Sequence, residues 1–184
     1  MGNNLFTKVS IVFLALVGFN YSAFAQEEVI NQGNMIINAG IGAGNWITDN
    51  KGYSVTLFPI VGSFEYGLLD LFDSRGAIGI GGYVSYTIFG SKSIIAANAN
   101  VSDLILGPRA MFHYQFMKNL DTYAGIMLGY DIKSYTHPDI NLPGSQFYPG
   151  IFVGARYYIT NNFGFWAEAG RNTAPIEVGV CYIF

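Results

Sequence analysis

The sequence predicts an all-β fold, an eight-stranded antiparallel up-and-down barrel, and three observations predict it. After about the first 25 residues, apolar residues recur at every second position rather than at helical spacing. The alternation falls into eight stretches of strand length separated by turn residues. The connections between these stretches are alternately short and long.

Each strand follows from its own pattern. The first, about Met35 to Gly44, sets Met35, Ile37, Ala39, Ile41 and Ala43 against mostly Gly and Asn. The second, about Ser54 to Leu68, sets Phe58, Ile60, Phe64, Tyr66 and Leu68 against Ser63 and Glu65. The third, Ala77 to Phe89, sets Ile78, Ile80, Val84, Tyr86 and Ile88 against Gly79, Gly81, Tyr83, Ser85 and Thr87. The fourth, Leu104 to Phe116, opposes Leu106, Ala110, Phe112 and Tyr114 to Arg109, His113 and Gln115. The fifth, Asp121 to Lys133, opposes Ala124, Ile126, Leu128 and Tyr130 to Asp121, Tyr123, Asp131 and Lys133. In the sixth, Phe147 to Ile159, Ile151, Val153 and Tyr157 oppose Tyr148, Gly154 and Arg156. The seventh, Phe163 to Gly170, opposes Phe165, Ala167 and Ala169 to Trp166 and Glu168. The eighth, Ile176 to Phe184, opposes Val178, Val180 and Tyr182 to Glu177 and Gly179.

Alternation alone suits a soluble barrel with an apolar lumen as well as a membrane barrel with an apolar exterior, since one is the other turned inside out. Composition and layout choose the second. Charged residues are 11% of the chain, against about 25% in an ordinary soluble domain. The connections Leu69 to Gly76, Met117 to Leu120 and Thr160 to Asn162 are short or compact. Those over Asn45 to Gly52, Gly90 to Asp103 and Ser134 to Gln146 are longer and polar, as periplasmic turns and external loops are. Apolar-face aromatics sort by height. Phe64, Tyr66, Tyr114, Phe116, Tyr157, Phe163, Phe165, Tyr182 and Phe184 fall at one end, and Tyr86, Tyr130 and Phe147 toward the other. The prediction is therefore a transmembrane β-barrel. Pro59, Pro108 and Pro149 strain it, because each removes a ladder donor, and are expected at bulges or toward the external strand ends.

The N-terminus reads as a cleavable signal peptide over residues 1–25. Lys8 supplies the positive charge, Val9 to Phe19 the apolar run, and Ala23-Phe24-Ala25 a small-x-small site before Gln26. Residues 26–33 follow as a short periplasmic segment, and residues 34–184 as the barrel. Removing the segment takes one of 9 basic residues and none of 12 acidic ones, leaving 8 − 12 = −4. No nucleic-acid partner is implied by that charge. Neither a cofactor motif nor a metal-ligand set is expected, since two histidines and Cys181 are scattered. Cys181 reads as a small wall residue.

The inward faces carry Glu65, Arg109, Arg156, Glu168 and Glu177, with the bulky Tyr83, Tyr123, Tyr148 and Trp166. An eight-stranded barrel is only wide enough for side chains to fill it. These five charges are expected to form an interior ion network that plugs the lumen. Arg109 would serve Glu168 and Glu177 at mid-height, and Glu65 and Arg156 would sit lower, near His113 and Tyr158. Inward glycines leave room for small water pockets. Ser134, His137 and Asp139 are the one loop grouping with catalytic residue types, and read as chance neighbours rather than an active site.

The stretches GPRAMFHYQF, YPGIFVGARYYITNNFGFWAEAG and IEVGVCYIF, with FEYGLLD earlier, resemble the outer membrane protein β-barrel domain family. These are small eight-stranded barrels similar to OmpX and to the OmpA membrane domain. The resemblance covers about Asn34 to Phe184. It implies a Gram-negative outer-membrane location, with lipid around the barrel and with periplasmic chaperones and the barrel-assembly machinery as partners during biogenesis. Val180, Tyr182 and Phe184 in the last strand are similar to the assembly signal of such proteins. The resemblance implies no particular activity. The expected role is structural or surface-interacting rather than catalytic, with any ligand of the external loops unknown. A soluble periplasmic lipid-carrying barrel is the alternative, followed by a barrel enzyme or a narrow channel.

Overall fold

Residues whose side chains alternate between two environments form strands, because successive side chains of a strand point to opposite faces. Eight result: β1 (Met35–Ala43), β2 (Tyr53–Leu71), β3 (Gly76–Ser91), β4 (Asn100–Met117), β5 (Leu120–Tyr135), β6 (Gln146–Tyr158), β7 (Phe163–Gly170) and β8 (Ile176–Ile183). The structure, a computed structural model, describes residues 30–44, 53–73, 75–91, 100–135 and 144–184. The signal-peptide reading, with cleavage between Ala25 and Gln26, lies outside them. Each strand pairs antiparallel with its sequence neighbours, and β8 pairs with β1 to close the barrel.

Several strands outrun their sequence-based limits. β3 continues to Ser91 and β4 begins at Asn100, so Asp103, expected in a connection, lies inside the barrel opposite Lys133. Ser134, expected in the next connection, belongs to β5 and is exposed. Polarity misled in both places: a lumen that accepts charge lets a polar alternation continue as strand.

The prolines divide. Pro59 sits in a register shift between Leu57 and Ile60. Pro149 lies near the far end of β6, before the ladder to β7 begins at Phe152. Pro108 is at neither a bulge nor a strand end. It lies mid-β4 in unbroken register with β3, opposite Gly82. On the β5 side the ladder skips from Leu106↔Tyr130 to Arg109↔Met127 without a shift. A strand residue bonds to one neighbour at a time, so the missing donor falls where that ladder is interrupted.

The outer wall is apolar: Ile37, Ile41, Ile60, Phe64, Ile126, Val153, Phe165 and Val178 are all exposed. The aromatics at the end that holds residues 30–34 and Phe184 pack on one another. Tyr114 and Phe116 rings lie 4.8 Å apart, as do Tyr182 and Phe184. The lumen is filled by Tyr83, Tyr123, Tyr148, Trp166, Phe152 and charged residues, all buried. Residues 30–34 fold against β2. Gly33 N donates to Gly67 O, Gly67 N donates to Asn34 O, and Ile30 joins the buried cluster.

Glycine on the inner wall makes room for rings. A Cβ built on Gly154 would meet the Tyr123 ring and hydroxyl at 2.5–2.7 Å, and Gly125 lies against Phe152 in the same way. At these two glycines the room is taken by aromatic side chains. Gly154→Val should displace Tyr123 and break its hydrogen bond to Glu168, costing about 1–3 kcal/mol as overpacking does. The urea midpoint of the folded barrel in detergent should fall; an unchanged midpoint would count against this packing.

Candidate functional site

Every inward charge needs a partner, because an unpaired ion in a low-dielectric interior is costly. The inward-facing charges among the described residues gather in three tiers. At the end where Phe184 lies, Arg156 of β6 engages three strands, its ladder neighbour β5 and, across the lumen, β1 and β2. Its Nη2 donates to Glu65 Oε2 of β2 at 2.6 Å and its Nη1 to Asp121 Oδ2 of β5 at 2.9 Å. Its Nε donates to Asn38 Oδ1 of β1 at 3.2 Å. His113 completes a ring, with Nδ1 2.9 Å from Asp121 Oδ1 and Nε2 against Glu65 Oε1. Each nitrogen of His113 thus faces a carboxylate oxygen that can only accept. Tyr158 is buried in the same end.

At mid-height, Arg109 makes a two-pronged pair with Glu168, Nη1 to Oε1 at 3.0 Å and Nη2 to Oε2 at 2.9 Å. Two parallel bonds suit the planar guanidinium. The guanidinium is sandwiched between the rings of Tyr83 and Phe152, 4.2 and 4.1 Å from their centroids. Tyr123 links the two tiers: its hydroxyl donates to Glu168 Oε1 at 2.9 Å, and Arg156 lies over its ring.

Glu177 is not Arg109's second partner. Its Oε1 accepts from the Tyr83 hydroxyl at 2.7 Å and from Ala174 N at 3.3 Å. Its Oε2 accepts from Asn172 Nδ2 at 3.4 Å. Neutral donors replace the cation because the β7–β8 connection turns inward. Asn172, Thr173 and Ala174 are buried. Asn172 Nδ2 also donates to Glu168 Oε2 at 2.8 Å, and the Tyr148 hydroxyl donates to Asn172 O at 2.8 Å. Tyr83 and Ser85 hydroxyls meet Thr173 Oγ1. Sequence reading passed over this short connection. Its small polar residues between two inward carboxylates, Glu168 and Glu177, were the available signal.

The third tier, toward the other end, was read only in part from sequence. Lys133 Nζ lies 2.6 Å from Asp103 Oδ1 and 2.5 Å from Asp131 Oδ2. Among the described residues no group of three or more His, Cys, Asp or Glu is arranged to hold a metal.

The closed eight-stranded barrel, apolar outside and ionic inside, matches solved structures. The fold is that of small eight-stranded outer-membrane barrels. The outer membrane protein OprG of Pseudomonas aeruginosa superposes with a TM-score of 0.53 at 12% identity, over 85% of this chain and 98% of that one. The attachment invasion locus protein Ail of Yersinia pestis, in complex with the heparin analogue sucrose octasulfate, gives 0.52 at 11% identity, over 83% and 99%. No protein-family model matches the sequence, and neither does any curated protein.

Within this barrel Val180, Tyr182 and Phe184 lie on the outer wall of the strand that closes on β1. Phe184 N donates to Met35 O at 2.8 Å. Of the loop grouping, Ser134 faces outward on β5, while His137 and Asp139 lie outside the described residues.

Proposed function

We propose that this protein is an integral outer-membrane β-barrel of a Gram-negative cell, with a plugged lumen and a structural or surface-interaction role rather than catalysis. The observation that carries this reading is the inverted polarity of the wall. Large apolar side chains face outward around the barrel, while Arg109, Arg156, Glu65 and Glu168 are buried within it. Water around such an exterior would be unfavourable by about 25 cal/mol per Å² of apolar surface, and lipid removes that cost. Closure removes the unpaired strand edge that hydrocarbon does not tolerate. The likeness in fold to OprG and Ail supports the same setting. A lipid-carrying soluble barrel would need the opposite polarity, with an apolar lumen to receive its ligand.

The plug is the ring around Arg156, the Arg109–Glu168 pair with its flanking rings, and the inturned Asn172–Ala174 segment. Lipid is the constant partner. Periplasmic chaperones and the barrel-assembly machinery serve biogenesis, with Val180, Tyr182 and Phe184 as the recognised residues.

Cell fractionation tests the setting. The protein should enter the membrane fraction, leave it only with detergent, and run faster in SDS without heating than after boiling. In planar bilayers, conductance should be near the baseline. Recovery in the soluble periplasmic fraction would overturn the location, and large single-channel steps would overturn the plug.

A further inference from the structure

Buried polar atoms without a hydrogen-bond partner occur in all three tiers, but in the third two of them are carboxylate oxygens that face no cationic group of their own. Glu168 has both oxygens engaged, and so has Asp121. In the upper tier Lys133 takes one oxygen from each of Asp103 and Asp131. Asp103 Oδ2 and Asp131 Oδ1 are buried without a hydrogen-bond partner. Two carboxylates and one ammonium leave a local charge of −2 + 1 = −1. Both carboxylates lie against the one ammonium of Lys133. Beside them stands Thr87, whose side chain is fully buried and whose Oγ1 also has no partner. Thr87 and Asp103 are directly opposed across the β3–β4 ladder and both point inward, which puts their Cβ atoms about 4.5–5.5 Å apart.

Buried acceptors without donors call for a cation or a proton donor. Threonine can donate its one hydrogen to a carboxylate, but a surplus of carboxylate oxygen remains. Carboxylate and hydroxyl oxygens are hard ligands, which favour cations of the calcium and magnesium class over softer transition metals. The site lies in the part of the lumen farthest from Phe184. Asp103 lies three residues beyond Leu106, which pairs with the girdle residue Tyr130, on the side away from Phe184.

We propose that Asp103, Asp131 and Thr87 form a seat for a hard divalent cation in the far mouth of the lumen, with Lys133 as a built-in competitor. The ammonium of Lys133 and the cation share the same two carboxylates. Bound cation therefore weakens the hold on Lys133, and loss of Lys133 strengthens the hold on the cation. The seat stands on the lumen geometry and does not depend on where the barrel resides.

Folded protein in detergent, titrated with calcium or magnesium chloride by calorimetry, tests this. Wild type should show saturable binding. Lys133→Gln should bind on the order of tenfold or more tightly, because a neighbouring positive charge is removed. Asp103→Asn should abolish binding. Thr87→Val, which keeps both ion pairs and nearly the same shape, should weaken it several-fold and serves if the aspartate variant does not fold. Absence of saturable binding in both wild type and Lys133→Gln would overturn the proposal, as would binding unaffected by Thr87→Val and Asp103→Asn.

Discussion

Replacing Arg156 with leucine is expected to lower barrel stability by about 3–5 kcal/mol, the usual loss when one partner of a buried pair is removed. Arg156 is 1% exposed and holds Glu65 and Asp121 from opposite sides of the lumen. Without it both carboxylates keep only His113 as a cationic neighbour, and Asn38 loses its donor. The leucine methyls would also face oxygens where five N–H groups had been. Lysine should recover only part of the loss, since one ammonium cannot reproduce the three directions of the guanidinium. Urea unfolding in detergent or lipid vesicles measures the effect. Combining Arg156→Leu with Glu65→Gln and Asp121→Asn should restore much of the stability, because the stranded charges go with it. A single variant as stable as wild type would show that the ring contributes nothing to folding.

Valine at Gly40 should have a comparable or larger effect, through closure rather than charge. Gly40 on β1 is paired with Gly179 on β8, at the seam that makes the sheet a barrel. Gly40 sits against the indole of Trp166, whose Nε1 is 3.3 Å from Ala39 O. A Cβ on Gly40 would collide with the backbone oxygen of Val178 and lie 2.9 Å from Trp166 Cζ2. The ring can tilt, but the carbonyl belongs to the ladder and can move only by opening it. The cost should meet or exceed the upper end of the roughly 1–3 kcal/mol of ordinary overpacking. The fraction of refolded protein running as the compact form in unheated SDS should drop sharply, while Ile41→Val on the outer wall should leave it unchanged. Normal folding of Gly40→Val would refute the account of the seam.

The strand count, the order of the strands and the sorting of side chains to two faces were legible in the sequence because they are local. A period of two repeats within each strand and needs no knowledge of its neighbours. For the same reason Glu65, Arg109, Arg156, Glu168 and Glu177 could be named as one set. Counting height along each strand also placed Arg109 with Glu168 and Arg156 with Glu65 and His113, where the structure has them; the remaining partners could not be read in this way. Closing a barrel staggers and tilts the strands, so which residues share a height depends on a register built up around the whole ring. Asp121 is Arg156's direct neighbour across the β5–β6 ladder, while that stagger brings Asn38 to Arg156 and gives Arg109 to Glu168 alone. The sequence contained Asn172, Thr173 and Ala174 in plain view, but only the packed lumen shows that they turn inward and supply Glu177 with neutral donors. Asp103 was misplaced because polarity suggests a loop in a chain judged by its surface. In this fold the polar surface is the inside, and the tertiary structure decides where the inside ends.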